Sequence, residues 1–244
     1  IMVLENNLRL EKFNPDVLRE YDIRGVVDKE LTECTAYTIG RTFGYVVCSQ
    51  FNEKKIVVGY DGRLTSLKLH EALCKGLIQS GANVISIGMG PTPMTYFAHY
   101  NLNANAAIMV TGSHNPSEYN GFKMVLDKHS FFAENIQMLQ NLVDDPRLSI
   151  NEGTYKEVDL KNEYIKRNLQ NITLNKKLKI GWDIGNGAMG AVMDILTSNL
   201  LNVEHITINK KVDGTFPNHH PDPTVPKNME QLIKLVKDNN CDIG

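Results

Sequence analysis

The sequence has no apolar run of the ~18 to 20 residues that a transmembrane helix needs, so no membrane span is expected. Cysteine is scarce. Cys34, Cys48, Cys74 and Cys241 stand far apart, with no Cys-x-x-Cys pair and no Cys/His cluster. That spacing argues against a zinc site and predicts reduced, mostly buried thiols in a cytoplasmic protein. An excess of one charge is missing as well. Lys and Arg number 26 against 28 Asp and Glu, a net −2, which gives no electrostatic argument for nucleic acid or an acidic membrane surface as partner. The first residues carry no basic segment, and Glu5, Arg9 and Glu11 interrupt any hydrophobic stretch, so no signal peptide is expected. What is present is 42% hydrophobic and 22% charged over 244 residues, the composition of a folded, soluble protein with one large domain or two ordinary ones.

Strand-like and helix-like segments alternate along the chain. The run 55–61 is short, apolar and β-branched and closes on Asp61-Gly62, which reads as a buried strand. A helix is expected over 66–79, with Leu69, Leu73 and Leu77 on one face and Gly81 at its carboxyl end. Strands at 82–87 and 106–110 flank a helix at 95–101. Apolar strands joined by helices indicate a parallel sheet covered on both faces. Asp144-Asp145-Pro146 closes a helix at 133–143, and the polar stretch 145–153 is the expected boundary. The pattern then restarts, with strands at 179–183 and 203–208 and helices at 188–200 and 228–239. The expected fold is α/β: two successive three-layer α/β/α domains with mixed, mostly parallel sheets, over 1–148 and 149–244. Lys55-Ile-Val-Val-Gly-Tyr-Asp61 and Lys179-Ile-Gly-Trp-Asp183 also resemble each other, a hint of a repeated unit.

The segment richest in chemistry is Thr111-Gly-Ser-His-Asn-Pro116, directly after the strand at 106–110. Gly112 and Asn115-Pro116 force a turn there. Ser113 and His114 therefore fall in a loop at the carboxyl end of a parallel strand, where open α/β sheets bind ligands. Asn120-Gly121 reads as a tight turn into a strand at 122–126 that brings Lys123 back towards the loop. Ser113 lacks the Gly-x-Ser-x-Gly setting of a hydrolase nucleophile, because Asn115 stands two residues after it and a strand follows. Gly185-Asn-Gly-Ala-Met-Gly190 fits Gly-x-Gly-x-x-Gly, but no acidic residue follows at a strand end about 20 positions on, so a dinucleotide is not expected. His219 and His220 are adjacent in an extended segment and point oppositely, which favours a rigid loop over a metal pair.

Taken together, the motifs resemble the α-D-phosphohexomutase family. Thr111-Gly-Ser-His-Asn-Pro116 is similar to its phosphoserine loop, Arg19-Glu-Tyr-Asp-Ile-Arg-Gly25 to its N-terminal motif, and Gly59-Tyr-Asp-Gly-Arg63 and Asn120-Gly-Phe-Lys123 to two more. Phe216-Pro-Asn-His-His-Pro-Asp-Pro223 resembles the bacterial phosphomannomutase/phosphoglucomutase branch. The resemblance implies that Ser113 carries a phosphate, gives it to a hexose phosphate, and recovers the other phosphate from the resulting bisphosphate. It implies catalytic roles for Ser113, His114, Lys123 and Arg24, substrate contacts from Tyr21, Arg24 and Lys123, and support of the loop by Asp61 and Arg63. It also implies Mg2+, bound by phosphorylated Ser113 and three aspartates of an Asp-Gly-Asp-x-Asp-Arg loop. That loop does not occur in these residues, and Ser113 alone cannot hold a hard dication, which needs several oxygen ligands. The start at Ile1 and the stop at Cys241-Asp-Ile-Gly244 predict an N-terminal portion that is not a competent mutase by itself. The alternative is a fragment that binds phosphosugars or a partner without turnover. Such a portion would expose apolar surface and could self-associate.

Overall fold

The computed structural model describes residues 8–244, so the start of the chain, on which the signal-peptide expectation rests, lies outside the described residues. The larger sheet has seven strands in the order β1-β5-β4-β2-β3-β7, with β6 beside β5. These are β1 (Ile23–Val26), β2 (Lys55–Tyr60), β3 (Asn83–Met89), β4 (Ala106–Val110), β5 (Tyr119–Leu126), β6 (His129–Phe131) and β7 (Thr154–Glu157). The run β4-β2-β3-β7 is parallel, and β5 is antiparallel to β1, β4 and β6.

Side-chain alternation in β2 explains why its sequence is apolar throughout. Ile56 and Val58 join one buried cluster while Val57 joins the other. The first cluster lies under α1 (Glu33–Gln50), α2 (Ser66–Gln79) and α4 (Glu134–Leu142), and contains Phe43, Leu69, Leu73, Leu77 and Phe122. Each such side chain contributes about 1.5–3 kcal/mol by leaving water. The second cluster is shared along the chain. Met94 and Ala98 of α3 (Thr92–Asn101) meet Tyr164 and Ile165 of α5 (Lys161–Leu169) and Met193 and Leu196 of α6 (Met193–Asn199). The later part of the chain thus buries a helix against the first sheet's far face.

Beyond α5, β8 (Leu178–Asp183) and β9 (Val203–Ile208) form a parallel pair, and Ile243 bridges β8 in parallel on its other side. Helix α7 (Glu230–Asp238) packs on β8. The 188–200 segment is a 3-10 turn at Ala188–Ala191 followed by α6, rather than one helix.

Two expectations need correction. The boundary at 148 falls before β7, which pairs with β3 from Asn83↔Thr154 to Ser86↔Glu157, so the first sheet runs on past it. Composition could not show this, because β7 is a short, mostly exposed edge strand. The pair Asn120-Gly121 is not a turn. Both residues lie inside β5, opposite Gly25 and Arg24 of β1, and the reversal comes earlier, where the Tyr119 amide donates to the Pro116 carbonyl at 3.1 Å. Glycine is needed at 121 for close approach: a Cβ there would collide with the Ile23 carbonyl oxygen.

Candidate active site

β3 and β4 leave on opposite sides of β2, so the carboxyl ends of β2 and β4 form the switch point where open α/β sheets bind ligands. Asp61 follows β2 and Thr111 follows β4. The Asp61 carboxylate ties the two strand ends together. Its Oδ2 accepts from the Thr111 hydroxyl at 2.8 Å and the Gly112 amide at 3.2 Å. Its Oδ1 accepts from the Arg63 amide at 3.0 Å and the Ser66 hydroxyl at 2.5 Å, at the start of α2. Both oxygens are occupied, so Asp61 shapes the site and is not free to act as a base.

Arg63 is 4% exposed and spends its guanidinium on the Ser113 loop. Nη2 donates to the carbonyls of Ser113 and Asn115 at 2.8 and 2.7 Å, and Nη1 to those of Pro116 and Tyr119 at 2.6 and 3.0 Å. Burial lowers its pKa, opposed chiefly by Asp61, whose Oδ2 lies 3.4 Å from Nε. The planar fork suits this task because it can serve several fixed carbonyls at once. With its backbone so held, Ser113 adopts a left-handed conformation, φ +54°, and its amide donates to Thr111 Oγ1 at 2.9 Å. Such a backbone costs of order 1–3 kcal/mol in a non-glycine residue and persists because its surroundings over-determine it. The Ser113 side chain is exposed, and Oγ has only a long 3.4 Å contact with His114 Nδ1.

Arg24 and Lys123 are brought together, though about 100 positions separate them in the chain. Both reach Oδ2 of Asp22, at 2.5 and 2.8 Å, and that carboxylate is 5% exposed. Arg24, Gly121 and Thr111 form one row across β1, β5 and the end of β4, because Thr111 N donates to Gly121 O. Lys123 on β5 is therefore one strand over from β4, which leads into the Ser113 loop, and Arg24 on β1 is two strands over. Asp22 was passed over in the sequence although it sits inside the Arg19–Gly25 motif. Tyr21 is 72% exposed and makes none of these contacts.

A cavity of about 400 Å3 opens in front of Ser113. Its near wall is Asp61, Arg63, Thr111 and Ser113, and its far wall comes from Asp183, Gly185, Asn186 and His219. Asp183 ends β8 as Asp61 follows β2, so the local likeness of the two strands places one aspartate on each wall. His219 Nε2 contacts Asp183 Oδ2 at 2.9 Å, and Asn209 and the Gly185 amide contact Oδ1. Reading His219 as part of a rigid loop missed this wall. The signal was present in the Gly-rich turn straight after a strand-ending Asp. Phe216 closes the seam, its ring 5.2 Å from the Arg63 guanidinium.

Comparison with known proteins agrees with this geometry. Residues 16–146 match the family model described as phosphoglucomutase/phosphomannomutase, alpha/beta/alpha domain I, and residues 162–244 match that for domain II. The chain belongs to the phosphoglucomutase/phosphomannomutase family. It is 45% identical over 231 residues to a phosphomannomutase/phosphoglucomutase of Pseudomonas putida, covering 94% of this chain and 50% of that protein. It is 40% identical to a phosphoglucomutase of Neisseria meningitidis serogroup B, covering 94% and 50%. The crystal structure of a family protein from Burkholderia thailandensis superimposes with a TM-score of 0.87 at 38% identity, covering 94% of this chain and 51% of that one. The chain thus spans about half the length of the relatives it matches. No helix among the described residues is long and apolar enough to cross a membrane.

The family resemblance implies magnesium. Among the described residues no three His, Cys, Asp or Glu side chains cluster as a cation site. The carboxylates on the cleft walls, Asp61 and Asp183, are taken up by neighbouring donors. The described residues do not by themselves make a magnesium site.

Proposed function

We propose that this chain forms the phosphate-carrying part of a phosphohexomutase, acting on hexose phosphates and a hexose bisphosphate. One observation carries the reading: an exposed serine hydroxyl, on a backbone locked by Arg63 and Thr111, faces a cleft at the sheet's switch point. In the proposed reaction the bond between phosphorus and Ser113 Oγ breaks as a sugar hydroxyl takes the phosphoryl group, and the hydroxyl proton leaves to a base. The return step transfers the other phosphoryl group of the bisphosphate to Ser113. Phosphoryl transfer depends on positioning and on cations near the moving group. Arg24 and Lys123, gathered by Asp22, are the cations assigned to that work, with His114 beside the nucleophile. Asp61 and Arg63 act by holding the loop. Tyr21 would contact sugar only once substrate covers it.

The names of the relatives support the substrate class. The cytoplasm is the compartment assigned, in keeping with four cysteines that form no disulfide. Two α/β units are proposed, with the division after β7 and α5 fastening the second to the first. Incubation with radiolabelled glucose 1,6-bisphosphate should place one phosphoryl group on Ser113, read by intact mass and peptide mapping. Label that maps to a residue other than Ser113, or a Ser113→Ala variant that labels equally, would overturn the assignment.

A further inference from the structure

The motif Gly185-Asn-Gly-Ala-Met-Gly190 follows β8 with no dinucleotide to serve, and its second residue has another use. Asn186 is 5% exposed and left-handed, at φ +57°. Its amide donates to the Asn209 carbonyl at 2.8 Å, and its carbonyl accepts from the Asp213 amide at 3.0 Å. Its Nδ2 donates to the Lys211 carbonyl, and its Oδ1 accepts from Asn218 Nδ2, both at 2.8 Å. One residue on the far wall of the cleft thus fastens the segment 209–218 at four points. A buried polar group satisfied in this way rigidifies what it holds.

The fastened segment presents Phe216 to the Ser113 loop. Asp213 Oδ1 closes an Asx-turn, accepting from the Thr215 amide at 2.9 Å and the Thr215 hydroxyl at 2.7 Å. The Phe216 amide then donates to the Asp213 carbonyl at 3.0 Å. Glycine at 214 lets this turn close on the first sheet's loops, because a Cβ there would collide with the Leu64 amide. Phe216 itself is left-handed, at φ +50°. For a bulky residue that is an outlier, and it persists only where the surroundings over-determine it. The reward is a ring face under the Arg63 guanidinium, whose carbon lies 5.2 Å from the ring centroid. An aromatic face attracts a guanidinium at that range, more so where water is excluded, and Arg63 is buried. The same guanidinium holds the carbonyls of Ser113, Asn115, Pro116 and Tyr119, so the ring fixes the plane from which those hydrogen bonds are made.

We propose that Phe216 is a positioning residue for Ser113. It acts from the opposite wall of the cleft, through Arg63, to hold the backbone of the Ser113 loop, and Asn186 holds Phe216 in place. The later part of the chain thereby sets the conformation of the loop carried by the first sheet. The catalytic meaning of this rests on the reading of Ser113 as the phosphate carrier; the contact chain from Asn186 to the loop does not.

The test compares this chain with its Phe216→Leu and Phe216→Tyr variants, the first removing the ring and the second keeping it. In wild type the Arg63 Hε resonance should be shifted upfield by the ring, a signature that Phe216→Leu loses and Phe216→Tyr retains. In Phe216→Leu the amides of Gly112, Ser113 and Asn115 should exchange about tenfold faster while those of β8 and β9 stay protected, and Phe216→Tyr should restore them. Labelling of Ser113 by glucose 1,6-bisphosphate should slow by about the same factor at saturation, with the half-saturating concentration unchanged. Exchange and resonance position need no phosphoryl transfer, so they stand or fall separately from the carrier reading. An unshifted Arg63 Hε in wild type, or loop exchange in Phe216→Leu equal to wild type, would overturn the proposal. So would loosening spread evenly over β8 and β9, a Tyr variant that behaves as Leu, or Ser113 labelled at the wild-type rate in Phe216→Leu.

Discussion

Replacing Arg63 by Ala should cost about 4 kcal/mol of folding stability, because one side chain holds four loop carbonyls and faces a buried carboxylate. Hydrogen bonds to charged groups contribute about 1.5–3 kcal/mol each when buried. The sum over four would exceed the effect, since Asn115, Pro116 and Tyr119 are partly exposed and water can reach their carbonyls once the side chain is gone. The uncompensated part is Asp61 without its cation, and removing one member of a buried ion pair costs about 3–5 kcal/mol. Arg63→Lys restores charge but not the fork, and should recover less than half of the loss. Urea unfolding at constant pH measures the change as a shift in midpoint at unchanged slope. Amide exchange reads the location: residues 112–121 should lose protection in Arg63→Lys before the core of the sheet does. A loss below about 1 kcal/mol in Arg63→Ala, or a Lys variant as stable and as protected as wild type, would refute the clamp.

Further expectations follow from other buried groups. His70 takes up a proton near pH 4 when folded and near 6.5 when unfolded, so the stability that it supplies as a neutral ring is complete above about pH 6.5. That contribution should fall by about 3 kcal/mol as the pH drops to 4, a slope that His70→Gln should lack in denaturant melts across this range. Asp22→Asn should cost about 3 kcal/mol by leaving Arg24 and Lys123 adjacent without their shared carboxylate, measurable by thermal and urea unfolding. Cys74 is fully buried and its thiol pKa is raised far by desolvation, so thiol reagents at pH 8 should spare it until the protein unfolds. Labelling of Cys74 in the native state at the rate of a free thiol would contradict that placement.

Local chemistry was legible from the residues alone. The apolar β-branched run at 55–60, the leucine spacing of α2 and the Gly81 stop define β2 and α2, because period and turn residues act within a few positions. The fully buried strand Ala106–Val110 and the loop carrying Ser113 were equally plain. Tertiary structure decided what depends on distant partners. It made β7 part of the first sheet, turned Asn120-Gly121 from a turn into strand, and gathered Arg24 and Lys123 on Asp22. It set His219 and Asp183 across the cleft from Ser113, and left Nδ1 of the buried His70 without a hydrogen-bond partner. The reason is physical: backbone propensity is local, whereas sharing a carboxylate or an acceptor depends on which strands end side by side, and that is fixed only when the sheet order is.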